Sequence, residues 1–288
     1  MQAIRRAKKT IDIVIFRFDR TELEKALEAA VARGVVVRAI VAHTNRGGER
    51  NLRKLELKLL EVGVTVARTA DDLVRYHGKM MIVDRSTLYV FAFNYTKLDV
   101  EKSRSFGVST KNSGLVKEAL ALFEADATRQ PYAPGHPRFV VSPESSRRML
   151  SDFIKRAKKQ LLIYDDKITD KLILRLLEER VKAGVEIRVI GKMDKCPDGI
   201  LACKLADLRP HLRVIVRDGQ QAFIGSQSLR KLQLDNRREI GVIVTDSRIA
   251  KRIQAVFEAD WAVSAPAPKK NGKEKEDEKT TSVAADAR

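Results

Sequence analysis

Two stretches of this chain place a histidine and a cation two residues apart at the head of an apolar run. His77 and Lys79 are followed by Asp84 and Asn94; His211 and Arg213 are followed by Asp218, Ser226 and Ser228. The chain has only four histidines, and these two lie 134 positions apart, as do the two aspartates. On a strand, residues two apart share a face, so each imidazole sits beside its cation. Asp84 and Asp218 lie seven positions further on, on the opposite parity and roughly 23 Å away at about 3.3 Å per residue. They read as turn-forming residues that never meet the same ligand, with Gly219 able to supply a positive φ. A two-residue hairpin loop at each turn sets His77 opposite Asn94 and Lys79 opposite Ala92, and in the second copy His211 opposite Ser228 and Arg213 opposite Ser226. An imidazole beside a fixed positive charge and small polar groups suits an oxyanion, the cation binding phosphate and the imidazole serving as nucleophile or acid–base. A twofold-related pair of such histidines matches a two-step phosphodiester displacement. One attacks phosphorus; the other protonates the leaving alkoxide and later activates water or an acceptor alcohol.

The elements that carry these residues are themselves repeated. Arg6–Val41 aligns without a gap on Arg156–Gly191 at a shift of 150, with Arg-Ala-Lys-Lys, Gly-Val and a strand arginine recurring. Each copy predicts a basic amphipathic helix, a strand (Ile11–Phe16; Leu161–Tyr164), a helix with apolar residues at helical spacing, and a glycine cap at Gly34 or Gly184. Strands Val35–Ala42 and Val185–Ile190 follow. The change of shift from 150 to 134 implies sixteen extra residues in the first half, expected as a loop and an added helix between His43 and Gly63. A strand and a helix close each half (Ser105–Thr110 with Leu115–Ala127; Glu239–Val244 with Ser247–Ala262). Alternating strands and helices imply an α/β fold of two pseudo-twofold-related sandwich domains, each a mixed β-sheet flanked by helices. The expected boundaries are 1–130 for the first half, a proline-rich linker at 131–137, 138–263 for the second half and a disordered tail at 264–288. Arg138–Val141 opens the second half as a strand. Its counterpart would precede Met1, so the first half is expected to lack it, through truncation or divergence.

The formal net charge is +18. The segment from Ala265 to Arg288 contributes only +1 of this, leaving +17 on the remainder, a balance that favours polyanionic partners. Aromatics make up 6% of residues, little material for base-stacking platforms. Two cysteines, Cys196 and Cys203, exclude a disulfide framework and fit a reducing compartment. Together with His211 they match no familiar zinc spacing, so no metal and no cofactor are expected. No apolar run spans a bilayer and the N-terminal stretch lacks an apolar signal core, which points to a cytoplasmic monomer with room for peripheral membrane contact.

The duplicated motif resembles the signature of the phospholipase D superfamily, His-x-Lys-x4-Asp-x6-Gly-Ser-x-Asn. The first copy keeps His77, Lys79, Asp84 and Asn94 but has Phe91-Ala92 for Gly-Ser. The second keeps His211, Asp218 and Gly225-Ser226 but has Arg213 for Lys and Ser228 for Asn. Glu239 matches the acidic residue that orients a histidine in this family, and Ser105 takes the equivalent position in the first half. The resemblance covers nearly the whole folded chain and implies one active site between two α/β halves, working without metal through a phosphohistidine. It implies His77 as nucleophile, since Lys79 beside it is intact, and His211 as general acid–base, although the twofold plan itself leaves the choice open. Lys79, Arg213, Asn94, Ser226 and Ser228 would bind the substrate phosphate. The expected activity is hydrolysis or transfer of phospholipid headgroups. The alternatives are a nuclease of the same fold and a non-catalytic module that binds anionic membrane or nucleic acid through basic helices such as Arg147–Lys159.

Overall fold

The computed structural model describes residues 1–44 and 52–264. The first half runs α1 (Gln2–Arg6), β1 (Thr10–Ile15), α2 (Thr21–Ala32), β2 (Val36–Val41), α3 (Leu52–Glu61), β3 (Thr65–Arg68) and β4 (Arg75–Tyr76). It continues with β5 (Met80–Val83), β6 (Thr87–Phe91), α4 (Lys97–Glu101), β7 (Ser103–Arg104), β8 (Gly107–Thr110) and α5 (Ser113–Thr128). The second half opens with β9 (Phe139–Val141), α6 (Ser146–Lys155), β10 (Gln160–Ile168), α7 (Lys171–Lys182), β11 (Glu186–Met193), β12 (Ile200–Cys203) and β13 (Arg209–Pro210). It ends with β14 (Val214–Arg217), β15 (Gln221–Gly225), α8 (Lys231–Asp235), β16 (Arg237–Arg238), β17 (Ile240–Val244) and α9 (Ser247–Val263).

Two mixed sheets result, in the orders β3-β2-β1-β5-β6-β8 and β12-β11-β10-β14-β15-β17-β9. The parallel pairs β1–β2 and β10–β11 are joined by helical crossovers, whereas β5–β6 and β14–β15 are antiparallel hairpins. Alternation along the strands divides the apolar residues into three layers. Val14, Met80, Ile82, Val214 and Val216 face a central core that both sheets share with α5 and α9. Ile11, Ile13 and Ile15 face α2 and α3; Leu161, Ile163 and Ile215 face α6 and α7. Both expected glycine caps hold, Gly34 and Gly184 having φ of 83°. The added helix of the first half is α3; the loop expected before it lies mostly outside the described residues, as does the tail from Ala265. β9 lies at the edge of the second sheet, next to β17. The basic helix Arg147–Lys159 is largely α6, and it turns Met149, Leu150, Phe153 and Ile154 into the core rather than toward a partner.

The hairpins depart from the expected register. Val83 pairs with Thr87 and Arg217 with Gln221, so each loop holds three residues, not two. Asp84 and Arg85, and likewise Asp218 and Gly219, take consecutive left-handed conformations, with φ between 49° and 62°, and one further residue closes the turn. That extra residue slides the pairing by one position, which sets Lys79 against Phe91 instead of Ala92 and Arg213 against Gly225 instead of Ser226. The two turn aspartates share one duty. Asp84 accepts hydrogen bonds from the backbone N–H groups of Lys8, Lys9 and Thr10, and Asp218 from those of Lys158, Lys159 and Gln160. The repeated Arg-Ala-Lys-Lys stretch is therefore the other end of the repeated aspartate.

Candidate active site between the two halves

The seam is stitched by two short parallel ladders related by the same 134-residue shift. β4 of the first half pairs with β16 of the second, and β13 of the second with β7 of the first. Each ladder ends at a histidine: the N–H of His77 donates to the Arg238 carbonyl at 2.7 Å, and His211 directly follows β13. Close approach fixes the residue between His77 and Lys79, since a Cβ on Gly78 would stand 2.4 Å from the Ile240 side chain across the seam. Two arginines cross over and reinforce this. Arg104 grips Asp260 of α9 through two bonds of 2.6 and 2.8 Å, and Arg238 reaches Asp126 of α5 at 3.1 Å.

Each histidine is held by a carboxylate of the opposite half. His77 Nδ1 donates to Glu239 Oε2 at 2.7 Å, which leaves the Nε2 lone pair directed away from the carboxylate. Lys79 Nζ stands 2.8 Å from that Nε2, and the ring lies edge-on to Phe16 at 4.3 Å. His211 Nδ1 stands 2.9 Å from Asp99 Oδ2, close enough for an ion pair though off the axis of a hydrogen bond. Both histidines are 8% exposed, and Lys79 and Glu239 are fully buried.

Burial, aided by the neighbouring Lys79 and Arg213 charges, holds the His77 imidazolium well below its ordinary pKa, so the ring is neutral. Burial likewise lowers Lys79, with Glu239 opposing. Burial also lowers His211, but there the adjacent Asp99 carboxylate pulls upward. The Asp99 carboxyl is raised by burial yet ends far below the usual carboxylate range, because His211 and two Asn94 N–H groups stabilise its charge. Arg213, 9% exposed, has Nε and Nη1 buried without a partner. Two guanidinium N–H groups thus stand ready for an anion.

His77, Lys79, His211, Arg213 and Glu239 are brought together; the three small polar residues expected on phosphate are committed elsewhere. Asn94 donates its amide to Asp99 at 2.7 Å. Ser228 donates to Asp165, a buried carboxylate that a bulge in β10 turns inward. Ser226 accepts from the Ile240 N–H at 3.1 Å and bonds Glu239. The one-residue slide of the hairpins contributes, since it carries Asn94 and Ser228 past the positions opposite the histidines and Ser226 past the position opposite Arg213. Ser105 takes the position equivalent to Glu239, just after β7 as Glu239 follows β16, but it does not do the same work. Ser105 only donates to the Asp99 backbone at 3.4 Å, and the carboxylate that serves His211 is Asp99 itself, from the short helix α4.

Sequence reasoning missed Asp99, Asp165, Arg75 and Arg237. The last two face each other in the β4–β16 ladder, each with a buried, unpartnered Nε and each lowered by burial first, with nearby guanidinium charge adding. Arg237 carried a usable signal, being two residues from Glu239 on the same strand parity. Asp99 carried none, because a buried acid in a five-residue helix looks like an N-terminal helix acid. Among the described residues no cluster of three or more His, Cys, Asp or Glu side chains is arranged to hold a metal ion, and no helix is long and apolar enough to cross a membrane.

Comparison with known proteins agrees with this plan. Polyphosphate kinases of Vibrio vulnificus and Vibrio cholerae are 24% and 25% identical over 273 residues, 85% of this chain; the chain spans only 39% and 38% of their length. A crystal structure of polyphosphate kinase from Porphyromonas gingivalis superposes with a TM-score of 0.74 at 21% identity, covering 91% of this chain and 47% of that one. Phosphatidylserine synthase of Haemophilus influenzae superposes with a TM-score of 0.71 at 10% identity, covering 92% and 84%. The family model described as "Cardiolipin synthase, PLD-like domain" matches twice, over residues 1–127 and 150–261, the two halves that the ladders join. With both copies of the motif meeting at one seam, the chain belongs to this phospholipase D-like family.

Proposed function

We propose that the protein is a phosphodiesterase or phosphatidyltransferase that works through a phosphohistidine on His77. The observation that carries this is the crossed pair: two buried imidazoles from different halves, each fixed at Nδ1 by a carboxylate of the other half, with Lys79 and the unpartnered Arg213 beside them. His77 Nε2 attacks phosphorus as the P–O bond to the leaving alkoxide breaks, and His211 gives that alkoxide its proton. His211 then takes a proton from water or an acceptor alcohol, whose oxygen attacks phosphorus and frees His77. Lys79, which now holds Nε2, transfers its hydrogen bonds to the phosphate oxygens together with Arg213. The imidazole is itself the nucleophile. The family's name favours a phospholipid, the cleaved bond being that to the headgroup.

A second reading is transfer on an anionic polymer, nucleic acid or polyphosphate. It is favoured by Arg75 and Arg237, half-buried like charges in register beside the site, and by the sequence relatives named polyphosphate kinase. The test is a panel of labelled phospholipids, DNA, RNA and polyphosphate in EDTA, with acid-labile, base-stable label on the protein as the readout. Labelling of wild type that disappears in His77→Ala supports the proposal, and the substrate that labels decides between the readings. Label retained in His77→Ala and lost in His211→Ala reverses the two roles. Binding without any labelling or turnover leaves a non-catalytic module.

A further inference from the structure

At the end of the second sheet remote from the histidines, the chain forms a hollow of about 440 Å³. Arg217, at the far end of β14, lies six residues beyond His211, about 20 Å along an extended strand. Arg148 of α6, Arg156 just past its end and Arg138 from the segment entering β9 line the same hollow, and Asp152 is the one carboxylate among its lining residues. None of these guanidinium groups makes an ion pair among the described residues, although the Asp218 charge acts on Arg217. Arg217 donates to two neutral acceptors, the Phe153 carbonyl at 3.0 Å and the Gln221 side-chain oxygen. Arg138 donates to the Thr245 hydroxyl at 3.2 Å, and Arg148 and Arg156 make no ion pair among the described residues. The carboxylate of Asp218, nearest in sequence to Arg217, is already occupied by three backbone N–H groups. Phe153 and Met149 form an apolar floor, with the Arg217 guanidinium 4.4 Å above the Phe153 ring.

The duplication supplies an internal control. The first half has a hollow of about 490 Å³ at the corresponding place, between α1 and the β5–β6 turn. There Val83 stands for Arg217, Ala3 for Phe153 and Gln2 for Asp152, while Arg6 stands for Arg156. The space is therefore a by-product of the shared plan; the first-half hollow has Arg6, Lys111 and Tyr89 in its lining, but the cluster of four arginines belongs to the second half. Arg138 and Arg217 are partly buried and Arg148 and Arg156 exposed at the rim, and cations gathered in this way without ion pairs are stabilised by a bound anion. Four arginines against one aspartate, spread over a space of ligand size, exceed what one phosphate engages.

We propose that this hollow binds a small anion with two or more linked phosphates, a nucleoside diphosphate or a free oligophosphate, independently of the chemistry at the histidines. The test uses the full chain with ¹³C-labelled methionine methyl groups, because Met149 reports the hollow and Met80, beside Lys79, reports the histidine site. ADP, pyrophosphate and tripolyphosphate should each move the Met149 resonance saturably, and orthophosphate should bind at least about tenfold more weakly, the equivalent of one lost charge-assisted contact. The double variant Arg148→Glu with Arg156→Glu, both exposed, should lose the Met149 response while the Met80 response to whichever panel substrate labels His77 persists. Tighter binding of ADP than of pyrophosphate identifies a nucleoside on the apolar floor, and equal binding identifies the oligophosphate alone. A Met149 resonance unmoved by millimolar ADP and tripolyphosphate at low salt, or moved equally in the charge-reversed variant, overturns the proposal. Neither result bears on phosphohistidine formation, which is read separately by His77 labelling.

Discussion

Replacing Asp99 by Asn separates the two histidines by chemistry rather than by loss of activity alone. Asp99 Oδ2 faces His211 Nδ1 at 2.9 Å, and its charge is what raises a His211 pKa that burial otherwise depresses. The amide removes that charge and presents no second acceptor of equal strength, so His211 carries its proton less often and loses its fixed orientation. Proton transfer by a positioned imidazole contributes about 10²–10⁴-fold. For a substrate whose leaving group is an aliphatic alkoxide, the first step should therefore slow by about 10³, or roughly 4 kcal/mol of barrier. Phosphatidyl-p-nitrophenol needs no proton on its departing phenolate. With it the first step should survive nearly intact in Asp99→Asn, while the second step, in which His211 activates water, stays slow. Stopped-flow absorbance should then show a burst of p-nitrophenol equal to the enzyme concentration, followed by slow turnover, with phosphohistidine accumulating on His77. The substitution should cost little stability, since the Arg209 side chain that shares Asp99 is 44% exposed. An equal loss with both leaving groups and no burst would refute the assignment of His211 and of the carboxylate behind it.

Glu239→Gln should act on the other step. By disturbing the His77 tautomer it should lower burst amplitude and burst rate for both leaving groups, by about 10²–10⁴ in rate, which rapid-quench labelling measures. In the wild type, the depressed His77 pKa places the acid limb of kcat/KM below pH ~6.5. Arg213→Met removes one of the charges that depress it, so the limb should move upward, and a pH profile on the activated substrate reads the shift. The same depression makes the contribution of His77 to stability full above its unfolded pKa of about 6.5 and progressively lost as pH falls below it, because the unfolded chain takes up the proton first. Arg238→Ala should cost about 3–5 kcal/mol in urea unfolding at pH 8, since it strands Asp126 at 5% exposure. Burial already raises the Asp126 carboxyl to about 6, so the cost should shrink near pH 5.5, where the acid protonates instead. Arg104→Ala should cost less, because the Tyr164 hydroxyl still donates to Asp260 at 2.6 Å.

The fold was legible because its signals are local and doubled. The apolar positions Leu23, Ala26, Leu27 and Ala30, with Gly34 after them, specify one helix and its end, and the copy 150 residues later repeats the instruction. The pair of histidines was legible for the same reason. Long-range placement was not. The pairing of Lys79 depends on a third loop residue, and the Asp84-Arg85 turn conceals it, since nothing local separates a two-residue from a three-residue loop. A slide of one position helped move Asn94, Ser226 and Ser228 from the phosphate to the carboxylates behind the histidines. Asp99 was out of reach because its partner lies 112 positions away across a seam that only the folded ladders define.

The asymmetry of the copies bears on direction. In the second half, Asp166 neutralises Arg230 at 2.6 Å and Asp165 is buried beneath Ser228. At the corresponding positions the first half has Phe16 and Ile15, so on that side Arg17, Lys79 and Arg75 gather around the face of Phe16, within 6 Å of its centroid, with no aspartate in the place of Asp166. An incoming phosphate therefore meets three cations gathered on one aromatic face beside His77. Each imidazole has a carboxylate behind it, Glu239 for His77 and Asp99 for His211, so the difference between the two sides lies in the cations rather than in those acids. Attraction of the anion to one imidazole and of the proton to the other is the division that a two-step displacement needs. The second half has Asp165 and Asp166 where the first half has Ile15 and Phe16, and this difference, more than the motif letters, is what favours the proposed assignment of His77 to phosphorus.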